Sequence, residues 1–324
     1  MAKFDIVADV GNTFLSMGLT SHDFVLREPS VVAEDAFNKG AYLACGIKAM
    51  QMAEDADASI RLVSPIVNGV VVDASALKYL AQNCMQKIMP SGTFVPSVKV
   101  YCVVNCSMED MSKTLIDECF NALGVKKVIF IPSAVADARI AKAQFGCDSC
   151  ITVNIGSTVT DVCAVDGDKI LAGASMFWAG NDLDKLIVNY VKQKHNVKIS
   201  IGDARAIKQN CCSLYPNNMS TFKVRGVNVE QNQQQTAEVS SRELYDTVCG
   251  FFDKILSVIN SLYLSVPVSE AEKLRQNGVV LSGGMGGIDG LEKFFFDKLR
   301  YPVRLLEEPA CAGVVGARLF ASDK

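Results

Sequence analysis

The chain opens on an apolar run broken by a short polar turn. FDIVADVGNTFLSMGL (residues 4–19) places apolar residues on both sides of Gly11-Asn12-Thr13, which predicts strand, turn and strand. VLREPSVVA (25–33) extends this β run, and Pro29 marks an edge or a bend because proline cannot donate to a ladder. In AYLACGIKAMQMAE (41–54) small and apolar residues recur at helical spacing, so an appended helical element is expected before the polar stretch 55–59. IVNGVVVD (66–73) reads as a tight Asn-Gly turn and strand. A helix over 74–89 follows, with Leu77, Leu80, Cys84 and Ile88 on one face. VKVYCVV, a helix from Ser107 and VKKVIFI then form a β-α-β pattern, and a small-residue helix spans 132–144.

At mid-chain the opening pattern returns. CITVNIGSTVTDVCAV (150–165) is again strand, turn and strand, and Val165-Asp166-Gly167-Asp168 turns into a third strand over 169–175. Repetition at half-chain distance predicts two domains of related fold. Helices are expected over 181–194 and 201–210, and the Gln-rich stretch 221–239 reads as an exposed hairpin with a loose loop. A helix from Ser241 carries the stripe Leu244, Val248, Phe251, Phe252, Ile255 and Ile259. Finally, residues 278–287 read as a strand with a glycine turn, and 288–299 as a helix.

Composition narrows the class. With 324 residues, 49% of them hydrophobic, the chain can bury a large core in two domains. A net charge of -3 with scattered basic residues predicts no nucleic-acid partner. The start lacks a secretion-signal pattern and no apolar run approaches the roughly 18 residues needed to cross a bilayer, so a cytoplasmic protein is expected. The twelve cysteines fall largely in apolar strand or helix patterns, as Cys102, Cys163, Cys249 and Cys311 do, which suits reduced structural thiols. Cys147-x-x-Cys150 is a lone Cys-x-x-Cys, and Cys211-Cys212, which would have to complete a metal site with it, has the wrong spacing for tetrahedral zinc, so no metal is expected there. With only His22 and His195 present, histidine acid–base chemistry is not expected.

The candidate chemistry lies in the turns. Asp9 closes the first strand before Gly11, Asn12 and Thr13; Asn154 closes the second before Gly156, Ser157 and Thr158. Absent or short side chains let backbone N–H groups approach a phosphate, so the pair reads as a duplicated phosphate clamp. Its halves differ, one ending in a carboxylate and the other in a neutral amide. A third turn places Gly283, Gly284, Gly286 and Gly287 where backbone can lie against a ring or ribose.

The order and spacing of the three turns resemble the actin-like ATPase superfamily, and several phrases resemble its bacterial MreB family. These are REPSVVA (27–33), PIVNGVVVDASALKYL (65–80), the Pro132 helix, GNDLDKLIVNYVKQKHNVKI (180–199), VVLSGGMGGIDGLEKF (279–294) and EEPACAGVVGA (307–317). The resemblance implies an α/β, actin-like fold of two RNase-H-like domains, each with a smaller appended subdomain, and nucleotide in the cleft between them. Residues 1–140 would form the first, with 34–64 appended. Residues 141–310 would form the second, with 181–240 appended, and 311–324 a C-terminal helix returning to the first. It also implies ATP or GTP with magnesium. Asp9 would orient the magnesium through water. Gly11, Asn12, Thr13, Asn154, Gly156, Ser157 and Thr158 would bracket the phosphates. Asp182 would lie near ribose or phosphate, Lys208 near ribose or adenine, and Gly283, Gly284 and Met285 beside the base.

Two departures from the family bear on catalysis. Its second clamp normally begins with Asp, where this chain has Asn154, and its acidic or glutamine residue before the bridging helix is here Ile131. An isoleucine cannot orient attacking water, and Thr160, which matches a family threonine proposed to assist, is a poor base. Nucleotide binding with weak or absent hydrolysis is expected. The family implies a homopolymer filament serving cell shape or intracellular organisation, and membrane contact at the inner face through Phe94 and Val95. The alternatives are a small-molecule kinase on this fold, with Asp73 or Asp137 as base, or a chaperone-like nucleotide switch, which needs a peptide-binding region that the sequence does not offer.

Overall fold

The computed structural model describes residues 4–55, 59–89 and 98–323. Two compact units divide the chain. One holds the described residues up to Asp148, Gly167–Lys169 and the stretch from Cys311; the other holds Ser149–Asp166 and Ile170–Ala310.

In the first unit β1 (Ile6–Val10), β2 (Phe14–Leu19) and β3 (Val25–Pro29) form an antiparallel meander. Pro29 ends β3 at the sheet edge, where its missing N–H costs no ladder bond. The run then leaves this sheet: β4 (Val32–Asp35) pairs with β5 (Tyr42–Cys45) and, beyond α1 (Ile47–Asp55), with β6 (Ile60–Val63). The helix expected from residue 41 therefore starts only at Ile47. Gly46, at φ +62°, turns the chain out of β5, and Ala33, Ala44 and Ala49 make the small core of this appended element.

A hairpin of β7 (Ile66–Val67) and β8 (Val70–Val71) follows, with Asn68 and Gly69 both at positive φ as a primed turn requires. Asp73 then caps α2 (Ala74–Ile88) by accepting from the Ala76 N–H at 2.9 Å. β9 (Lys99–Val104), α3 (Asp110–Ala122) and β10 (Lys127–Pro132) give the β-α-β crossover, although α3 begins three residues later than expected. The sheet order is β10-β9-β1-β2-β3. Central β1 is apolar on both faces because both are covered. Ile6, Ala8 and Val10 join the core with α2 and α3, while α4 (Ser133–Phe145) and the C-terminal helix Ala312–Ser322 pack together and the latter lies against β1 and β9.

The second unit repeats the plan. β11 (Ser149–Ile155), β12 (Thr160–Asp166) and β13 (Lys169–Met176) form the meander. Its appended part holds α5 (Gly180–His195), β14 (Val197–Lys198), α6 (Ile201–Cys211), β15 (Thr221–Asn228) and β16 (Gln234–Ser240). The Gln-rich hairpin is not wholly exposed, since Val224, Ala237 and Val239 face the core. α7 (Ser241–Ser265) starts at a capping box between Ser240 and Glu243. By length and composition α7 could cross a bilayer, contrary to expectation, but its Phe251, Phe252, Ile255 and Ile259 are fully buried in this unit's core. Each such side chain stabilises by about 1.5–3 kcal/mol, so α7 is a core helix.

The sequence reading assigned no element to α8 (Val268–Asn277), which follows Pro267. β17 (Val279–Ser282) leads through a 3-10 turn, Gly284–Gly287, to α9 (Leu291–Leu299) and β18 (Val303–Leu305). The order β13-β12-β11-β17-β18, with β11, β17 and β18 parallel, reproduces that of the first unit.

Candidate functional site

In the first unit the Gly11 N–H donates to the Phe14 carbonyl at 3.1 Å, closing the turn between β1 and β2. A Cβ on Gly11 would lie 2.8 Å from that oxygen, so the turn needs glycine there. Ser30, just past β3, holds the turn from outside: its hydroxyl donates to the Gly11 carbonyl at 2.7 Å and its N–H to the Thr13 carbonyl at 2.9 Å. The Asn12 side-chain oxygen accepts from the Gly69 N–H at 3.1 Å, which commits it to the neighbouring hairpin. With the carbonyls pinned, the N–H groups of Asn12 and Thr13 make no hydrogen bond to another described residue.

The second unit builds the same object. Gly156 N–H donates to the Val159 carbonyl at 3.0 Å, and a Cβ on Gly156 would lie 2.9 Å from that oxygen. The support comes again from just beyond the third strand, where Gly180 N–H donates to the Gly156 carbonyl at 3.0 Å and Asn181 N–H to the Ser157 carbonyl at 2.8 Å. The N–H groups of Ser157 and Thr158 are likewise left without a described partner. Each turn is therefore a small nest of outward-available donors of the kind that holds an anion.

The carboxylates differ in place. Asp9 pairs across its ladder with Ser16, whereas Asn154 pairs with Asp161. Burial pushes the Asp9 carboxyl up to about 6, opposed by the charge of Arg27, which stacks on Phe14. The Asp9 carboxylate makes no hydrogen bond or salt bridge to a described residue. A half-buried, unpaired carboxylate is a fitting oxygen donor for a hard divalent cation.

The other predicted site residues of the second unit sit around its turn, several with their polar atoms already engaged. The Asp182 carboxylate accepts from Ala179 N–H at 3.1 Å and pairs with Lys185, capping α5. Lys208 is neither solvated nor open toward a ligand. It is buried, its ammonium donates to the Gly180 carbonyl at 2.8 Å, and it pairs at 2.7 Å with Asp184, which is fully buried. Burial pulls its pKa down and Asp184 pushes it back. Lys208 thus fixes the start of α5 against the second turn, and neither Asp184 nor this role was read from the sequence. Thr160 is also fully buried, and its hydroxyl donates to the Trp178 carbonyl at 2.8 Å.

In the third turn Gly283 sits at φ +85°, and a Cβ there would stand 2.5 Å from the Ile155 carbonyl. Gly284 is open, whereas Met285 is buried in the core against Gly180 instead of projecting as a wall for a base. Ile131 is a core side chain, 1% exposed. Phe94 and Val95 lie outside the described residues. Of the alternative base carboxylates, Asp73 caps α2 and accepts from the Tyr42 hydroxyl, and Asp137 is fully buried within α4. The twelve cysteines are free thiols, and no group of three or more metal-ligating side chains occurs among the described residues. Ser30 was missed; its only signal was its place directly after the edge proline.

Two sheets of this order, each with a glycine turn after its first strand, define an actin-like protein. MreB5 of Spiroplasma citri bound to ADP shares the fold with a TM-score of 0.89 at 23% identity, over 98% of this chain and 96% of that one. A MamK double helical filament shares it at 0.83 and 18% identity, over 99% of both. The chain belongs to the MreB/Mbl protein family, whose profile matches residues 3–324. Cell shape-determining protein Mbl of Bacillus subtilis (strain 168) is 25% identical over 322 residues, 98% of this chain and 96% of that protein.

Proposed function

We propose that this protein is a nucleotide-binding cytoskeletal actin that polymerises into filaments in the cytoplasm, serving cell shape or intracellular organisation, and hydrolyses nucleotide slowly or not at all. The observation that carries the nucleotide reading is the pair of turns with pinned carbonyls and unpartnered N–H groups at Asn12, Thr13, Ser157 and Thr158. Family membership and the MamK filament support self-association, and the ADP-bound relative supports an adenine nucleotide over GTP. Asp9 would hold magnesium through water, and the cation would neutralise phosphate charge.

Weak hydrolysis follows from what is missing. Asn154 supplies a neutral amide where a carboxylate would accept a proton, and Ile131 offers no polar atom to a water. Thr160 already donates to backbone. A kinase gains no support, since Asp73 is engaged as a helix cap. Membrane contact through Phe94 and Val95 is tested by liposome flotation of the doubly Ser-substituted protein; unchanged flotation ends that idea.

Electron microscopy and pelleting with ADP, ATP and a non-hydrolysable analogue test the main reading. Nucleotide-dependent filaments with little phosphate release are expected. Filaments indifferent to nucleotide, or turnover like that of ordinary bacterial actins that Asp9→Ala abolishes, would overturn it.

A further inference from the structure

The first unit holds a surface cavity of about 610 Å³ at the starting ends of β1, β9 and β10, the opposite end of β1 from Asp9. Parallel register aligns Lys127 with Lys99, and Asp5 stands beside Lys99, whose N–H donates to the Asp5 carboxylate at 3.0 Å. Two lysines side by side on neighbouring strands repel, and a sheet bears such a pair at some cost. Neither ammonium has a salt bridge to a described residue. Arg318, from the last turns of the C-terminal helix, closes the same cavity. Its Nε donates to the Leu19 carbonyl at 3.3 Å and its Nη2 is buried with no hydrogen-bond partner. Among the described residues its carboxylate partner is Asp23, at 3.5 Å and fully exposed.

We propose that this cavity binds a small phosphate-bearing molecule, independently of the nucleotide turns. Three cations converge on it against one lining carboxylate, Asp5, which is buried and already accepts from backbone. The helix C-terminus adds about half a negative charge, which three full positive charges outweigh. A phosphate ester carries about -1.5 to -2 at neutral pH and can accept from cations on several sides at once. The volume exceeds that of a bare phosphate and falls within the range of small-ligand pockets, leaving room for an organic portion against Tyr101 and Ile129. Asp5, directly before β1, and Asp9, near its end, are four residues apart along extended chain, roughly 13 Å, so the two places are distinct.

The test uses the full chain saturated with magnesium and ADP, titrated calorimetrically with pyrophosphate and with glycerol 3-phosphate at constant ionic strength in chloride. Saturable one-to-one binding is expected, weakened at least tenfold by Lys99→Gln with Lys127→Gln and by Arg318→Gln. ADP affinity should be unchanged in the lysine variant, which removes a repulsion and should fold. Absence of saturable binding at millimolar concentration, or equal binding by the lysine variant, overturns the proposal. So does a lysine variant that alters pelleting when the parent protein binds neither probe, because the cations would then face an acidic surface of a second copy.

Discussion

Gly313 makes room for Asp9: a Cβ at Gly313 would stand 2.3 Å from the Asp9 Oδ2. The carboxylate rests on the first turn of the C-terminal helix, whose positive end partly substitutes for a counter-ion. Gly313→Ala must displace either the helix or Asp9. A stability loss of about 1–3 kcal/mol is expected from overpacking, with roughly tenfold weaker magnesium–nucleotide binding, read by urea unfolding and by titration with a fluorescent nucleotide. Unchanged affinity would separate Asp9 from the nucleotide.

The same carboxylate predicts a pH dependence in ligand-free, metal-free protein. Asp9 is pushed from 3.8 up to about 6, so the folded chain holds this proton more tightly than the unfolded one. The resulting penalty is absent below about pH 4, grows as pH rises, and is complete above about 6. Linkage caps it at about 3 kcal/mol, less to the extent that water screens this partly exposed group. Asp9→Asn should flatten that part of the stability–pH curve and be the more stable protein above pH 6.

Lys208→Met should strand the buried Asp184 charge. Loss of one partner of a buried pair costs about 3–5 kcal/mol, and the lower end is expected because the Arg205 Nε remains at 3.4 Å. Adding Asp184→Leu should recover most of the loss in urea unfolding. Both variants should bind nucleotide more weakly than the parent, since the Gly180 carbonyl loses its anchor and α5 supports the second turn.

Restoring the two family carboxylates should have unequal outcomes. Asn154→Asp changes little in shape and should raise phosphate release several-fold in a coupled assay. Ile131→Glu would bury a charge where a core side chain now sits, destabilising the chain by several kcal/mol without improving turnover.

The sequence made the paired sheets legible because each strand end carried a turn residue with a steric reason to be there: Gly11, Gly156, Gly283 and the Asn68-Gly69 pair. Local chemistry of that kind is written in single positions. What it could not display was which polar atoms had already found partners. Lys208 and Thr160 read as ligand-facing because their motif positions suggested so, yet their partners, Asp184 and Trp178, are fixed by how helices pack. Residues 41–45 read as helix because Ala and Leu fit either period, and only pairing with β4 decides between them. Ser30 was invisible for the same reason, since a serine after a proline says nothing of a carbonyl nineteen residues earlier.

The two turns keep the same closing bond and the same outside support, although one strand ends in Asp9 and the other in Asn154. The codons for asparagine and aspartate differ by a single base. A lineage carrying this scaffold could therefore lose or regain a carboxylate in the second turn in one mutational step while the backbone around it stays intact, and the rate of nucleotide turnover could drift on a far shorter evolutionary timescale than the fold that holds the nucleotide.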